Sequence, residues 1–157
     1  MRYFLIDRIV AFEPGHRARA LKAVSLESDI LHDHFPGYPV LPGAFLIEAM
    51  AQLSGFLVEM SSNVPDRVRR ALLVKVDEAK FHAPAEPGDQ LVLDAHLEEG
   101  RDDAAKTSVS VVNGDRKVAT ATLTFVLREV PEPAIHEQRR KIYRIWTRTC
   151  QNMPEIL

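Results

Sequence analysis

The sequence has one cysteine, Cys150, among its 157 residues, so it can form no disulfide bond within the chain. A cysteine content this low is typical of a reducing compartment, and we expect a cytoplasmic protein. The formal net charge of −2 favours neither nucleic acid nor a membrane surface as a partner. No glycine-rich nucleotide loop, CxxC pair, internal repeat or secretory segment occurs. We therefore expect one soluble domain that needs no metal or cofactor.

Residues 32–59 are the most informative stretch, because a proline-rich loop there leads into a long apolar segment. Pro36, Pro39 and Pro42 each fix φ and disfavour helical geometry in the residue before them. The following residues, 44–58, are mostly good helix formers and leave no polar side. A helix of this kind is buried all round, and the run is too short and too interrupted for a membrane span. We predict the central helix of a soluble protein.

Three residues of this stretch are candidates for chemistry. Glu48 lies in the apolar helix, where an unpaired charge is costly to bury. Gln52 lies four residues later on the same face and can hydrogen-bond it. His34 lies in the preceding loop, so Glu48 is either half of a catalytic pair or a structural buried acid satisfied by Gln52. His32 and His34 could also bind a metal, although no third ligand is evident.

The remaining pattern predicts strands separated by turns. Alternating or β-branched runs cover residues 3–12, 16–24, 67–81, 90–97, 106–112 and 117–127, and the third changes face near Asp77. Asn113-Gly114 is the strongest short-range hairpin signal. The order β-β-α-β-β-β-β indicates an α+β architecture, in which a curled antiparallel sheet of about six strands wraps around one long central helix. Because one sheet cannot cover a helix on every side, we expect a homodimer.

Residues 129–157 follow the predicted domain, residues 1–128, as a linker and a basic helical tail. A helix over residues 134–150 would carry apolar Ile135, Ile142, Ile145 and Trp146 among five basic side chains. It is either a solvated helix that packs Trp146 on the domain or a docking helix for an acidic partner.

The segment HFPGYPVLPGAFLIEAMAQ, residues 34–52, closely resembles the signature of the β-hydroxyacyl-acyl carrier protein dehydratases of the FabZ type, which have the hotdog fold. FLIDR, KFHAPAEPGDQL and VNGDRKVATATLTF resemble the family's opening strand, the segment after its helix and its last hairpin. The resemblance covers residues 4–127 in consistent order. It implies dehydration of (3R)-3-hydroxyacyl thioesters on acyl carrier protein to trans-2-enoyl thioesters, in fatty acid or related polyketide and polyene biosynthesis.

The resemblance also implies roles for single residues. His34 and Glu48 take the catalytic positions, and Glu at the second is typical of the plain dehydratases rather than of the dehydratase-isomerases. The free N–H groups of the helix start, notably at Gly43, suit an enolate-like oxygen. Gln52 supports Glu48, and Phe81 is either plain core or a wall of the acyl tunnel. In the family each site is shared between two subunits, which implies a homodimer or a trimer of such dimers.

Two departures from the family's pattern bear on the substrate. Asp33 stands where the family usually has Gly, and His82-Ala83 replaces basic residues that help to meet the acidic carrier protein. They leave open a specialised polyketide or polyene pathway beside primary fatty acid synthesis. Two other functions are also open: a hotdog acyl thioesterase, and a non-catalytic hotdog partner that binds an acyl carrier.

Overall fold

The computed structural model describes residues 4–157, in which six strands and two α-helices follow one another. The elements are β1 Arg8–Glu13, β2 Arg17–Ala23, α1 Gly43–Ser62, β3 Arg70–Phe81, β4 Gln90–Gly100, β5 Ala104–Asn113, β6 Arg116–Arg128 and α2 Pro133–Thr147. A short 3-10 turn, Asp29–Leu31, stands in the predicted connector. The predicted order of elements is confirmed. The first strand was predicted from Tyr3, which lies outside the described residues, and β1 begins only at Arg8.

All six strands form one antiparallel sheet in the order β1-β2-β4-β5-β6-β3. The predicted hairpin at Asn113-Gly114 is confirmed, since Asn113 pairs with Arg116 and Gly114 has a φ of 57°. The predicted change of face in β3 is also confirmed. Its register shifts between Asp77 and Lys80, where Glu78 has a positive φ of 50°. Strands β1 and β3 form the two edges of the sheet.

Helix α1 lies in the concave face of the sheet and contacts strands β2 to β6. Most of its large apolar side chains are fully buried against alternate residues of the strands, as the period-2 pattern requires, whereas Phe45, Ile47 and Met60 are partly buried. The core includes Leu46, Leu53, Phe56 and Leu57 of the helix and Leu91, Leu93, Val111 and Leu123 of the sheet. The α+β hotdog architecture is therefore confirmed.

The prediction that α1 is buried all round is wrong. Ala44 and Glu48 are exposed and Gln52 is half-buried, so one stripe with four-residue spacing faces away from the sheet. The apolar run is also longer than predicted: the 20-residue helix has the length and composition of a membrane span, although more than half of it is buried inside the fold. The helix continues through Ser61 and Ser62, whose hydroxyls donate to the carbonyls of Leu57 and Val58.

Helix α2 packs beside this open stripe. Its inner face buries Ile142, Tyr143 and Trp146, and its outer face carries Arg140, Lys141 and Arg144. Tyr143 meets Phe56 of α1 edge-on, with ring centroids 5.0 Å apart, and it stacks on Trp146. The helix starts at Pro133, and the carboxylate of Glu132 accepts a hydrogen bond from the N–H of Ala134. The tail thus packs Trp146 on the rest of the fold.

Candidate active site

Glu48 and Gln52 form a hydrogen-bonded pair on the open stripe of α1. The Gln52 amide Nε2 donates to Glu48 Oε1 over 3.0 Å, and Gln52 Oε1 accepts from the N–H of Leu5, also over 3.0 Å. The predicted contact between the two side chains is confirmed. The predicted burial of Glu48 is wrong for the single chain, in which this side chain is exposed. Its carboxylate is held in one orientation by Gln52, which Leu5 in turn fixes.

Glu48 opens into a cleft of about 540 Å³ between α1, β3 and α2. The floor is made of small side chains of α1, Ala51 and Gly55, next to Glu48 and Gln52. The walls are Phe4, Ala71, Leu72, Leu73, Phe125, Ile135, Gln138, Arg139, Ile142, Tyr143 and Trp146. A volume of this size, lined by apolar side chains together with the polar groups of Glu48, Gln52, Gln138 and Arg139, is typical of sites for small molecules.

The start of α1 presents free backbone donors. The described residues contain no hydrogen-bond acceptor for the N–H groups of Gly43 and Ala44, which belong to the first helical turn. The ring of Phe81 lies directly on Gly43, because a Cβ built there would be 2.8 Å from Phe81 Cζ. A side chain at position 43 would therefore displace the ring of Phe81 where β3 ends against the helix. Phe81 is 51% exposed, so the reading of it as plain core is wrong.

His34 lies in a compact loop just before the helix. The backbone N–H groups of Phe35 and Tyr38 each donate to the other residue's carbonyl over 2.9 Å, and Gly37 takes the left-handed φ of 76° that the turn needs. The carbonyl of His34 accepts from Val40, and the imidazole stacks on Phe35 with centroids 4.3 Å apart. The ring nitrogens of His34 make no hydrogen bond to any described residue, which leaves them available to a ligand.

The structure does not bring His34 and Glu48 into contact within one chain. Among the described residues, no hydrogen bond, ion pair or ring contact joins them, and His34 is not part of the cleft that Glu48 lines. Gly43 and Phe81 also lie outside that cleft. Two half-sites result: the Glu48–Gln52 pair in its cleft, and the helix start with Phe81. The same part of the chain contains no cluster of three or more His, Cys, Asp or Glu side chains arranged to hold a metal.

Sequence reasoning missed the acid that α1 does bury, Glu59. Its carboxylate accepts from Arg70 Nη1 at 2.8 Å, from the N–H of Ala71 at 3.0 Å and from the Tyr143 hydroxyl at 2.9 Å. Arg70 also donates to His136 Nδ1. Burial first, and the charge of Glu59 second, raise the pKa of Tyr143 well above its ordinary value of 10.0. This network joins α1, β3 and α2 behind the cleft.

A family model described as the FabA-like domain matches residues 1–122. The 3-hydroxyacyl-[acyl-carrier-protein] dehydratase FabZ of Verminephrobacter eiseniae is 36% identical over 132 residues, which are 83% of this chain and 88% of that protein. FabZ of Symbiobacterium thermophilum is 37% identical over 138 residues, covering 84% and 93%.

Among solved structures, smu.793 of Streptococcus mutans bound to acetyl CoA has a TM-score of 0.66 at 20% identity, covering 84% of this chain and 96% of that one. At that identity the likeness concerns the fold, which is the hotdog fold. The family is established by the match to the FabA-like domain and by relatives above 30% identity over most of both chains. This chain belongs to the FabA-like family, on its FabZ-type dehydratase branch.

Proposed function

We propose that this chain removes water from (3R)-3-hydroxyacyl thioesters carried on acyl carrier protein and releases trans-2-enoyl thioesters. The observation that carries the proposal is Glu48, a carboxyl group oriented by Gln52 on the lining of the cleft. Relatives that carry the printed name 3-hydroxyacyl-[acyl-carrier-protein] dehydratase FabZ match most of the chain. We further propose a place in fatty acid or related polyketide and polyene biosynthesis, and a cytoplasmic location.

The elimination needs a base, donors for the carbonyl oxygen and an acid, and each role is assigned to a group of this chain. The neutral imidazole of His34 takes the proton from the carbon next to the thioester carbonyl. The electron density that reaches the carbonyl oxygen is held by the free N–H groups at the start of α1, where Gly43 has no side chain to block the approach. The carboxyl group of Glu48 delivers a proton to the leaving hydroxyl, so that one water leaves and the C=C bond forms. His34 then loses its proton and Glu48 regains one.

A homodimer with shared sites completes this arrangement. Strand β3 is an edge strand that pairs only with β6, and the side chains of Leu72, Leu73, Val74 and Val76 on it are 38–56% exposed. An apolar edge of this kind is a template for pairing with a second copy. Pairing would bring the partner's loop towards Glu48, which His34 of the same chain does not reach. The resemblance to the family also allows three such dimers to assemble into a trimer of dimers.

The carrier protein is the proposed partner, and the outer face of α2 offers it a basic surface. Arg140, Arg144 and Arg148 follow one another at four-residue spacing and are exposed, with no ion pair to a described residue. Like charges at this spacing destabilise a helix slightly, and an acidic partner would relieve that repulsion. We propose that residues 129–157 are a carrier-facing tail of the hotdog domain, residues 1–128. Reversing Arg144 to Glu should raise KM for carrier-bound substrates without changing turnover of pantetheine thioesters.

Intact-protein mass spectrometry of 3-hydroxyacyl carrier protein tests the reaction. The wild type should convert the acyl group to a species lighter by one water, without release of the carrier thiol. His34→Ala and Glu48→Gln should each lower the rate by about 10²–10⁴-fold, the usual contribution of a positioned acid or base. Thiol release would indicate a thioesterase instead. Carrier binding without turnover at any chain length would indicate a non-catalytic partner.

A further inference from the structure

Helix α2 is fixed over the open stripe of α1 rather than hanging free. Tyr143 donates to the buried Glu59, and His136 Nδ1 accepts from Arg70 Nε over 3.2 Å while His136 Nε2 meets the carbonyl of Val130 at 2.7 Å. Trp146, the only tryptophan of the chain, is 2% exposed. These contacts hold both the first and the last turns of α2. A wall built from this helix therefore has a defined position relative to Glu48.

A gap nevertheless remains between α2 and α1. A helix that served only as a strap would bury its inner face against the core without a void, since interiors are close-packed. Here the cleft of about 540 Å³ separates Ile135 and Ile142 of α2 from Ala51 and Gly55 of α1. Ile135 is 38% exposed, an apolar side chain left open on the wall of a concave site.

The cleft is also long enough for an acyl chain. Glu48 and Gly55 are seven residues apart on one helix, which corresponds to about 10 Å along its axis. Leu73 and Phe125 add apolar surface opposite the helix. An aliphatic chain whose carbon 3 lay at Glu48 could therefore run along the small floor residues and under α2.

Helix α2 lies outside the part of the chain that the family matches. The FabA-like match ends at residue 122, whereas α2 begins at Pro133. The floor of the cleft and its Glu48 therefore belong to the family region, while one wall belongs to this chain's own tail. A wall that lies outside the matched region can set the substrate range without altering the reacting groups.

We propose that α2 is the specificity wall of this enzyme and that Ile135 limits the length of the aliphatic acyl chain that the Glu48 cleft accepts. The inference rests on the proposed function, because it takes the cleft as the place of the acyl group. Ile135 acts on the chain beyond the reacting carbons, so it should change KM more than kcat.

Substitutions of Ile135 in the full-length protein test the wall. Ile135→Trp fills the cleft and should lower kcat/KM for octanoyl- and dodecanoyl-length 3-hydroxyacyl carrier protein about 10-fold or more relative to the butanoyl length. Ile135→Ala should shift the preference towards longer chains. The matched control is Ile145→Trp, because Ile145 is an exposed isoleucine of the same helix that does not line this cleft. The control should leave both ratios of kcat/KM unchanged, that of the octanoyl to the butanoyl length and that of the dodecanoyl to the butanoyl length.

Binding separates failure of the wall from failure of the proposed function. Butyl, octyl and dodecyl thioethers of pantetheine, which cannot react, should bind the wild type, and Ile135→Trp should weaken the dodecyl compound selectively in calorimetry. If the wild type dehydrates its substrates but Ile135→Trp leaves both ratios of kcat/KM unchanged, the proposed function stands and the proposal that α2 is the specificity wall is wrong. Loss of all chain lengths equally, in Ile135→Trp and Ile145→Trp alike, would also overturn it. A wild type that neither turns over nor binds any chain would overturn both.

Discussion

The buried carboxylate of Glu59 should be the most sensitive single point for the stability of the fold. Its side chain is 1% exposed and accepts three hydrogen bonds, and the Arg70 side chain that it neutralises is 3% exposed. Glu59→Gln keeps the shape but leaves the guanidinium buried without a counterion. Removing one partner of such a pair costs about 3–5 kcal/mol of the free energy of unfolding. For a chain of this size, that loss lowers Tm by about 10 °C.

Tyr143→Phe is the matched smaller change. It removes only the hydroxyl that donates to Glu59 over 2.9 Å, and the ring keeps its contacts with Phe56 and Trp146. A hydrogen bond to a charged group contributes about 1.5–3 kcal/mol, so this variant should lose less than Glu59→Gln. Replacing Glu59 and Arg70 together by Leu and Met should recover much of the loss, because apolar replacement of a buried pair is often close to neutral.

Urea unfolding, followed by the fluorescence of the single Trp146, measures these differences directly, because that side chain lies beside Tyr143 in the core. The linear extrapolation of each curve gives the free energy of unfolding in water. A loss below about 1 kcal/mol for Glu59→Gln, or a larger loss for Tyr143→Phe than for Glu59→Gln, would refute the reasoning from a desolvated ion pair.

Three further predictions concern separate parts of the molecule. Gly43→Ala should lower kcat about 10-fold, because the new Cβ displaces Phe81 at the helix start, and Phe81→Ala in the same chain should restore part of it in steady-state kinetics. Asp94→Asn should cost about 1 kcal/mol at neutral pH in urea unfolding, because Asp94 accepts from Arg17 and Arg19. Burial alone would raise the pKa of Asp94, but those two guanidiniums bring it below 3.8, so its contribution is present above pH 3.8 and is lost as pH falls through the lowered value. Since the pKa of Tyr143 is raised, its contribution is complete below pH 10.0 and falls as pH rises above it, so Tyr143→Phe should flatten the loss of Tm in alkaline scans.

Much of the sheet follows from local pattern. Leu91, Leu93 and Ala95 alternate with the less buried Val92 and Asp94 in β4 and are all fully buried, and Asn113-Gly114 makes the predicted turn. The end of α1 was placed too early, because Ser61 reads as a loop residue. Its hydroxyl instead bonds back to the carbonyl of Leu57, a local choice that composition does not reveal.

The candidate site depended on contacts between distant segments, which spacing does not encode. Helix α1 carries two acids, Glu48 and Glu59. From the sequence alone, Glu48 was predicted to be the acid whose burial is costly. Glu59 is the buried acid because Arg70 and Tyr143 reach it from β3 and α2. The arginine pair at positions 69 and 70, where β3 begins, was the one signal that could have pointed to it. The cleft over Glu48 was equally hidden, because α2 completes it from the far end of the chain.

The family signature contributed what local physics could not. It paired His34 with Glu48, which the single chain keeps apart. The exposed apolar edge of β3 gives that separation a physical reason, since a second copy can pair there. The proposed function therefore turns on whether one working site needs two chains.

Mixing two inactive variants tests this claim most directly. His34→Ala and Glu48→Gln chains are unfolded together, refolded and assayed for dehydration of 3-hydroxyacyl carrier protein, with each variant refolded alone as the control. If each site combines His34 of one chain with Glu48 of its partner, the mixed dimers contain one intact site each, and the mixture should recover about a quarter of the wild-type activity. A mixture no more active than the separate variants, although mixed dimers form, would contradict the account.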